Sequence, residues 1–435
     1  MTLPPPVRRR HVFYVSGFDP NGPSRYHKLY SDGSGQQAAA GGPPIEVGAR
    51  NRIDAHTMGW TVRQQDGPGE AGAVDTRYVF PRWDSIIRDH WWQDQAPQVV
   101  DLLRTSWLYL RTGALWKMVR QSWPVFVCLF GPFFLLLALL PGAAAGLAAL
   151  AALAIAWRAD APLHGPAAAV AGIGVLALWW VYWARRHWRT QWILRGYAFV
   201  GRMADGGVPG LDSRLDAMAE ALCRQAREAT DDEILLVGHS LGTIMAVSVL
   251  ARALRLDPEL TRHGPAIGLL TLGHCVPLLS NLPAARRFRD ELAALAMAPD
   301  LCWVDFSDPL DDYSFAGVDP VKAAGIRVAV VGRPQLRSPC FSLLFDAGGG
   351  RMPAMSQHEI HQQYLRPCRL RSAPAPEDFD FFAITAGPVR LAERYPATGG
   401  RAVHASGGSR RSWDLHAVGP GASVGRSDLR GRQAP

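Results

Sequence analysis

The chain has 435 residues, enough for one large domain or two ordinary ones, and 48% of them are hydrophobic, so a substantial core can form. This composition excludes a disordered protein. The net charge of +8 and the pI near 9.4 suit nucleic acid or an anionic membrane surface. The arginines are scattered and form no recognisable nucleic-acid motif, however, so we expect no nucleic-acid partner. The six cysteines show no CxxC pair and no regular spacing, which argues against a disulfide framework or a zinc site.

The first third of the chain alternates short strands with helices. "HVFYVSGFD" (His11 to Asp19) predicts a strand and contains no apolar region of the kind that a secretory signal needs. "RYHKLYSDGSGQQAAA" predicts a helix, and "TRYVFPRWD" (Thr76 to Asp84) predicts a second short strand. The intervening "GGPPIEVG" lacks the strand, lysine and helix of a phosphate loop and is interpreted as a plain loop. An amphipathic helical region then leads to a long apolar segment.

Residues 123–183 form this apolar segment, which carries no charge except in the short break "RADAPLHG". A bilayer core of about 30 Å takes about 20 helical residues, so the segment predicts membrane helices, with a buried helical hairpin as the alternative. Tryptophans stand at its ends and basic residues flank both sides, which places both flanks in the cytoplasm. We expect two spans in the inner membrane, one from near Pro124 and long or kinked at Pro141-Gly142, the other from about Pro166 to Trp183. A re-entrant piece around residues 143–157 is an alternative.

After the apolar segment, strands alternate with helices of ten to fifteen residues, which predicts an α/β fold with a parallel sheet covered on both faces. The last forty residues are rich in Gly, Ser and Arg and have no periodicity, which predicts a disordered tail. We therefore divide the chain into four parts: residues 1–118, the first part of the α/β domain; 119–187, the membrane hairpin; 188–395, the main α/β domain; and 396–435, the tail.

One stretch of the main domain, "ILLVGHSLGTIMAVSVL" (Ile234 to Leu250), predicts a sharp strand-to-helix turn centred on Ser240. Gly238 and Gly242 remove side chains that would collide at such a turn, and His239 lies between strand and serine. The turn would place Ser240 at a helix N-terminus, where the Leu241 N–H can stabilise an oxyanion. The pattern favours a nucleophilic serine, with a purely structural glycine turn as the alternative.

This strand, turn and helix resemble the nucleophile elbow of the α/β-hydrolase superfamily, particularly its lipases and esterases. The resemblance covers roughly residues 11–22 and 211–390, and the elbow is its only highly specific motif. It implies a mostly parallel α/β-hydrolase-like sheet with helices on both faces, and the chain order nucleophile, acid, histidine. It also implies an oxyanion donor after an earlier strand. Here "VSGFDPNG" has Ser16-Gly17 where lipases often have His-Gly, so Gly17 or Phe18 would donate.

The implied order narrows the choice of base and acid. Only His358 and His361, in "MSQHEIHQQYLRP", follow both the serine and the candidate acids without lying in the tail, and we choose His361 with His358 as the alternative. The spacing is HEIH rather than HExxH, which argues against a zinc site of the zincin type. We expect no metal and no other cofactor. The acid should follow a late strand, and "LCWVDFSDPLDDYSF" offers three candidates after Asp305, which we place within the strand. We choose Asp311 over Asp308 and Asp312.

These assignments predict a membrane-anchored serine hydrolase with its catalytic domain in the cytoplasm and Ser240, His361 and Asp311 as its triad. The bilayer and an acyl-ester substrate would be its partners, and the nearby membrane favours lipid-like or apolar esters. An acyltransferase or a thioesterase would use the same residues. The remaining alternatives are an inactive membrane scaffold with this fold and a channel, although a channel needs polar residues within the spans and none is present.

Overall fold

The computed structural model describes residues 5–65, 72–91, 95–159, 167–175, 191–327, 334–344, 355–367 and 379–396. For residues 95–99, 132–143 and 191 it describes the backbone alone. The predicted tail, the Gly-rich "FDAGGGRMP" stretch and most of the predicted strand "IRVAVVG" lie outside the described residues. So does most of the second predicted membrane span, of which only residues 167–175 are described, and these are helical.

The described chain forms a mixed α/β structure around one twisted sheet. Its strands are β1 Arg9–Val15, β2 Ile45–Val47, β3 Asn51–Asp54, β4 Thr57–Gln64, β5 Val74–Pro81, β6 Glu233–His239, β7 Ala266–Leu272, β8 Cys302–Phe306 and β9 Gln335–Arg337. They lie in the order β2-β4-β5-β1-β6-β7-β8-β9, and β3 pairs with the outer part of β4. The pairs from β5 across to β9 are all parallel. The pairs among β2, β3, β4 and β5 are antiparallel.

The antiparallel arm corrects part of the sequence interpretation. "GGPPIEVG" was expected to be a loop, but Ile45–Val47 pair with the end of β4 as strand β2. A three-residue strand after two prolines is too short to show an alternating pattern. β4 does alternate, since Trp60, Val62 and Gln64 are buried on one side while Thr61 and Arg63 are exposed. The region therefore extends the parallel sheet by a hairpin-like edge.

Helices pack on both faces of the sheet. They are α1 Pro23–Ala39, α2 Asp84–Trp91, α3 Gln95–Arg111, α4 Ala114–Gln121, α5 Trp123–Arg158, α6 Gln191–Ala204, α7 Leu211–Glu228, α8 Gly242–Leu256, α9 Val276–Ser280, α10 Arg286–Met297, α11 Pro320–Ala323, α12 Phe341–Leu344, α13 Gln357–Gln362, α14 Phe381–Ala386 and α15 Leu391–Arg394. Alternate residues of β1 serve two separate cores, with Phe13 and Val15 on one face and Val12 and Tyr14 on the other. Because β6 is central, every one of its residues is buried.

The long apolar helix α5 begins inside the protein and ends outside it. The Ser122 side chain accepts a hydrogen bond from the Val125 N–H at its start. Val125, Phe126, Leu129 and Phe130 belong to the buried core. Further along the helix the large apolar side chains are exposed: Leu147, Leu150, Ile155 and Trp157. Pro141 and Gly142 fall within the helix and do not end it.

Within the described residues, the structure contains no helix that combines the length and the hydropathy needed to cross a bilayer. It therefore gives no support to the predicted two-span insertion. The side chains in the middle of α5 and residues 176–190 lie outside this description.

Candidate active site

Ser240 occupies the sharp turn between β6 and α8, as its sequence context predicts. Its φ angle is 58°, in the left-handed region that a residue with a side chain rarely adopts. The Ser240 N–H donates to the Leu272 carbonyl at the end of the next strand, which fixes this conformation. A strained residue persists only where the surrounding structure compensates for the strain, and such residues are typical of functional sites.

The two glycines of the turn are required by contact distances. A Cβ at Gly238 would lie 2.7 Å from the Gly242 carbonyl oxygen, and a Cβ at Gly242 would lie 2.2 Å from the Val15 carbonyl oxygen. Both distances are shorter than any stable contact, so the turn can pack against the end of β1 only without these side chains. The same tight packing brings Gly17 against the serine, since a Cβ at Gly17 would be 2.9 Å from the Ser240 Cβ.

His361 and Asp311 form a fully buried pair beside the serine. The His361 Nδ1–H donates to Asp311 Oδ2 at 2.8 Å, and neither side chain is exposed. The other ring nitrogen, Nε2, has no hydrogen-bond partner among the described residues. His361 and Ser240 line the same cavity. Catalytic hydrogen bonds are often long in unliganded enzymes, so an unpartnered Nε2 beside a serine fits a resting general base.

Two further donors hold the Asp311 carboxylate. The Tyr364 hydroxyl donates to Oδ2 at 3.0 Å, and the Tyr313 N–H donates to Oδ1 at 3.1 Å. Burial by itself would raise the pKa of Asp311, but the charge of His361 and the hydrogen bonds from His361, Tyr313 and Tyr364 outweigh it and lower the pKa below its usual value. The carboxylate therefore stays ionised and can orient the imidazole and stabilise its protonated form.

The alternative acid and base have other surroundings. Asp308 lies three residues earlier, and its carboxylate accepts hydrogen bonds from Leu310, Ser338 and Phe341. Burial raises the pKa of Asp308, and its partners hold a loop together rather than a histidine. The Asp312 N–H donates to the Gln357 side chain, and Asp305 lies within β8 as expected, bonded to Thr271 and Ser307.

His358 lines the cavity, but its Nδ1 has no hydrogen-bond partner among the described residues. Burial and the charge of Arg25 lower its pKa. Glu359, between the two histidines, serves the helix start, because it forms a reciprocal capping box with Ser356. In the described part of the chain, no group of three or more His, Cys, Asp or Glu residues is arranged to hold a metal ion.

The oxyanion donors proposed from the sequence lie next to Ser240. Leu241 follows it directly at the N-terminus of α8, and Phe18 follows Gly17 in the loop after β1. Neither the Leu241 N–H nor the Phe18 N–H donates a hydrogen bond to any described atom. Phe18 and Leu241 both belong to the wall of a crevice that includes Ser240. Free backbone donors from two elements at one serine are what a tetrahedral oxyanion requires.

His239 packs against His361 and holds its backbone. Its Nε2–H donates to the His361 carbonyl oxygen at 2.9 Å, and the two rings lie 5.0 Å apart. Burial and then the charge of His361 lower the pKa of His239 to about 3, so its ring is neutral at physiological pH. His239, which lies between Gly238 and Ser240, therefore positions the segment that carries His361.

Ser240 lies at the boundary of two spaces, one lined by both apolar and polar side chains and the other almost entirely by apolar ones. One is a cavity of about 190 Å³ that also includes Asp19, Asn21, Arg25, His358 and Gln362. The other is an apolar crevice of about 30 Å³, lined mainly by Phe18, Val125, Leu129, Ile193 and Leu278. The Cys275 thiol lies in the crevice against the Ser240 side chain, and burial raises its pKa, so it remains a neutral thiol. A substrate could place a polar part on one side of the serine and an apolar part on the other.

Sequence reasoning missed several of these residues. Tyr364 was visible in "HQQYL", one helical turn after His361, but no role was assigned to it. Trp192, which packs 5.9 Å from the His361 ring, carries no sequence signal because it lies at the start of α6 beyond the apolar segment. Arg25 and Asp19 form an ion pair at 3.2 Å on the cavity wall. No sequence pattern around the start of α1 indicates that either residue belongs to the site.

Comparisons with known proteins add no identity to this geometry. No family model matches the chain. No curated protein and no solved structure matches it at a significant level. The chemistry of the site must therefore be argued from its own residues.

Proposed function

We propose that this protein is a serine hydrolase of acyl esters with an α/β-hydrolase-like catalytic domain. The observation that carries the proposal is the buried hydrogen bond between Asp311 and His361. The Nε2 of His361 has no partner among the described residues, and His361 lines the same cavity as the strained Ser240. The three residues come from three distant parts of the chain. Their convergence at one edge of the parallel sheet is more specific than the sequence motif alone.

In the proposed reaction, Ser240 Oγ attacks the acyl carbonyl carbon while His361 Nε2 takes the hydroxyl proton. The carbonyl oxygen becomes an oxyanion that accepts hydrogen bonds from the Leu241 N–H and the Phe18 or Gly17 N–H. Its collapse breaks the ester bond, and His361 gives its proton to the departing alcohol. Water then attacks the acyl-enzyme with His361 again as base, which releases the acid and restores Ser240.

The apolar crevice favours a hydrocarbon acyl group. Phe18, Leu129 and Leu278 are almost completely buried around it, and it opens directly on Ser240. Burial of each methylene there contributes about 0.8 kcal/mol. An acyltransferase or a thioesterase would use the same crevice and triad. Added alcohol or thiol acceptors would reveal an acyltransferase, because the product would change from free acid to a new ester or thioester. Faster cleavage of thioesters than of esters would reveal a thioesterase.

A fluorophosphonate probe tests the proposal directly, because it phosphonylates an activated serine and leaves ordinary serines unmodified. We expect the full-length protein to be labelled and the Ser240→Ala variant to lose all labelling. Ser213→Ala, an exposed serine on α7, is the matched control and should label like the wild type. Absence of labelling in the folded wild type would favour the inactive scaffold and refute the hydrolase.

We also propose that the enzyme works at a membrane surface. On α3, the exposed side chains of Val100, Leu103, Trp107 and Leu110 recur at intervals of three and four residues and form one apolar stripe. Trp116 and Trp123 continue the exposed apolar surface on α4 and α5. Residues 102–131 contain no Asp or Glu, and their basic side chains are exposed: Arg104, Arg111, Lys117 and Arg120. An apolar face with tryptophans and flanking basic residues is typical of helices that lie in the interface of an anionic bilayer.

A further inference from the structure

The loop that follows β7 passes between the parts of the proposed triad. A Cβ at Gly273 would lie 3.1 Å from Asp311 Oδ2 and 3.3 Å from His361 Cε1, so the backbone there packs directly against this pair. The φ angle of Gly273 is 56°, in the left-handed region that a residue with a side chain rarely adopts. The position of Gly273 therefore limits where the Asp311–His361 pair can lie.

Two residues later, the same loop reaches the nucleophile. The Cys275 thiol lies against the Ser240 side chain in the apolar crevice. The Cys275 N–H donates to Thr243 Oγ1 at 3.2 Å, and the Thr243 hydroxyl donates to the Ser240 carbonyl oxygen at 2.6 Å. Residues 273–275, which we call the β7 turn, therefore contact the acid, the base and the nucleophile.

A buried carboxylate holds the middle of the β7 turn. The His274 N–H donates to Ser307 Oγ at 3.1 Å, and the Ser307 hydroxyl donates to Asp305 Oδ2 at 2.9 Å. The other carboxylate oxygen of Asp305 accepts from the Thr271 hydroxyl at 2.7 Å. Asp305 is fully buried and Ser307 is 2% exposed, so a lost bond in this network is not replaced by bulk water.

The negative charge of Asp305 is unfavourable at this position. Burial raises the pKa of Asp305, and the charge of His274 and the bonds from Thr271 and Ser307 offset only part of this effect. His274 Nε2 lies 3.9 Å from Asp305 Oδ2. Neither Asp305 nor Ser307 lines either of the two spaces beside the nucleophile. The network therefore does not touch a substrate, and it can act on the reaction only through the turn that it holds.

We propose that Asp305 and Ser307 are positioning residues for the reaction, because they fix the β7 turn between the nucleophile and its acid–base pair. The inference rests on the proposed hydrolase function and adds to it two residues outside the triad. Loss of the Ser307 hydroxyl would release the His274 N–H and let the turn shift against the acid–base pair. A misplacement of about 1 Å at a catalytic group can cost about 100-fold in rate.

The Ser307→Ala variant tests the inference on the full-length, detergent-solubilised protein. We expect kcat for a short acyl ester to fall by about tenfold with KM nearly unchanged, because the walls of both substrate spaces remain in place. Ser307→Thr restores the hydroxyl and should recover the kcat of the wild type. Asp305→Asn is a second variant should Ser307→Ala not fold. Its amide nitrogen cannot accept from a hydroxyl, so it should lower kcat in the same way.

Ser248→Ala is the matched control, since the Ser248 hydroxyl also donates to a buried carboxylate, that of Glu291, at 2.6 Å. Thermal unfolding should show a similar loss of stability in both alanine variants, whereas kcat should fall in Ser307→Ala alone.

Three results would overturn the inference and leave the hydrolase standing. They are equal losses of kcat in Ser307→Ala and Ser248→Ala, a wild-type kcat in folded Ser307→Ala or Asp305→Asn, and a kcat that stays low in folded Ser307→Thr. Absence of fluorophosphonate labelling and of all hydrolysis in the wild type would instead refute the hydrolase and this inference together.

Discussion

At the scale of single residues, Tyr364 is the side chain whose contribution can be isolated most cleanly. Its hydroxyl accepts the Asp308 N–H at 2.8 Å and donates to the same Asp311 oxygen that His361 uses. Tyr364→Phe should lower kcat by about tenfold through looser positioning of the carboxylate, with KM nearly unchanged because Tyr364 lines neither space at Ser240. Steady-state kinetics with a short acyl ester would measure this.

Tyr30→Phe is the matched control for that change. The Tyr30 hydroxyl also makes a buried hydrogen bond, with Thr385 at 2.9 Å, but it lies away from the triad. Both variants should lose about 1–2 kcal/mol of stability, and only Tyr364→Phe should lose kcat. Equal kcat in the two variants would show that Tyr364 has a structural role alone.

His239 gives the molecule a defined pH dependence of stability. Its pKa falls from 6.5 to about 3 on folding, chiefly through burial and then through the charge of His361. Because the folded pKa is depressed, the unfolded chain binds a proton that the folded chain cannot bind between these values. The free energy of unfolding should therefore fall by about 1.4 kcal/mol per pH unit below pH ~6.5, and this group should have no effect above it.

The His239→Gln variant tests this dependence, since an amide can still donate to His361 but does not titrate. Denaturant unfolding at several values between pH 5 and 7.5 should give a shallower slope for the variant by one proton. His11 is a suitable comparison for the pH dependence of stability, because burial and the charge of Arg77 also lower its pKa to about 3. It lies at a site remote from Ser240. Parallel curves for wild type and His239→Gln would contradict the assignment.

At the scale of elements, the start of α5 forms part of the proposed acyl site. Leu129 lines the crevice and is 2% exposed, whereas its neighbour Phe130 is buried against Tyr197 and does not line it. Leu129→Ala removes three side-chain carbons and should lengthen the crevice, so the preferred acyl chain should become longer by about two carbons. Each methylene buried in the added space contributes about 0.8 kcal/mol. A series of p-nitrophenyl esters of increasing chain length would measure the shift.

Phe130→Ala is the control, because it also removes a buried side chain from the same helix. Both substitutions should lower stability by about 2–5 kcal/mol. The acyl preference should move in Leu129→Ala only. An unchanged preference there, or an equal shift in both variants, would remove α5 from the substrate site.

Element by element, the sequence predicted strands β1 and β5 to β8 of the parallel part of the fold. It missed the short strand β9 and, for a physical reason, the antiparallel arm. β6 and β7 are continuous apolar runs because neighbours cover both of their faces, and such runs are readable. β3 is exposed at all of its residues, so its sequence "NRID" has no hydrophobic pattern to detect. Its pairing with β4 depends on backbone hydrogen bonds that no side-chain periodicity encodes.

The candidate site was predictable to a similar degree. Gly238 and Gly242 identify the turn because no other residue fits the distances there. The choice between Asp308 and Asp311 lay beyond the sequence, since the two follow the same strand and differ only in the turn that links them. The Asp311 N–H donates to the Asp308 carbonyl, and this turn directs one carboxylate to His361 and the other to the loop at Phe341.

At the scale of the whole molecule, the apolar stripe of α3 and its basic neighbours predict preferential binding to anionic membranes. We expect the full-length protein, depleted of detergent, to co-sediment with phosphatidylglycerol vesicles more strongly than with phosphatidylcholine vesicles. The binding should weaken with rising salt, because exposed charges are screened over about 10 Å at 0.1 M ionic strength. Each basic residue near an anionic surface contributes about fivefold in affinity.

The double variant Arg104→Gln, Arg111→Gln should therefore lose about 25-fold in affinity for the anionic vesicles, while its labelling by fluorophosphonate in detergent stays intact. Arg224→Gln, Arg227→Gln removes the same charge from exposed positions of α7 and should bind like the wild type. Equal losses in both variants would reduce the effect to net charge alone. Full, salt-resistant binding in both would instead assign membrane attachment to the apolar segment 123–183. Labelling of a cysteine placed at 158–165 from the cytoplasmic side only would then refute two complete spans.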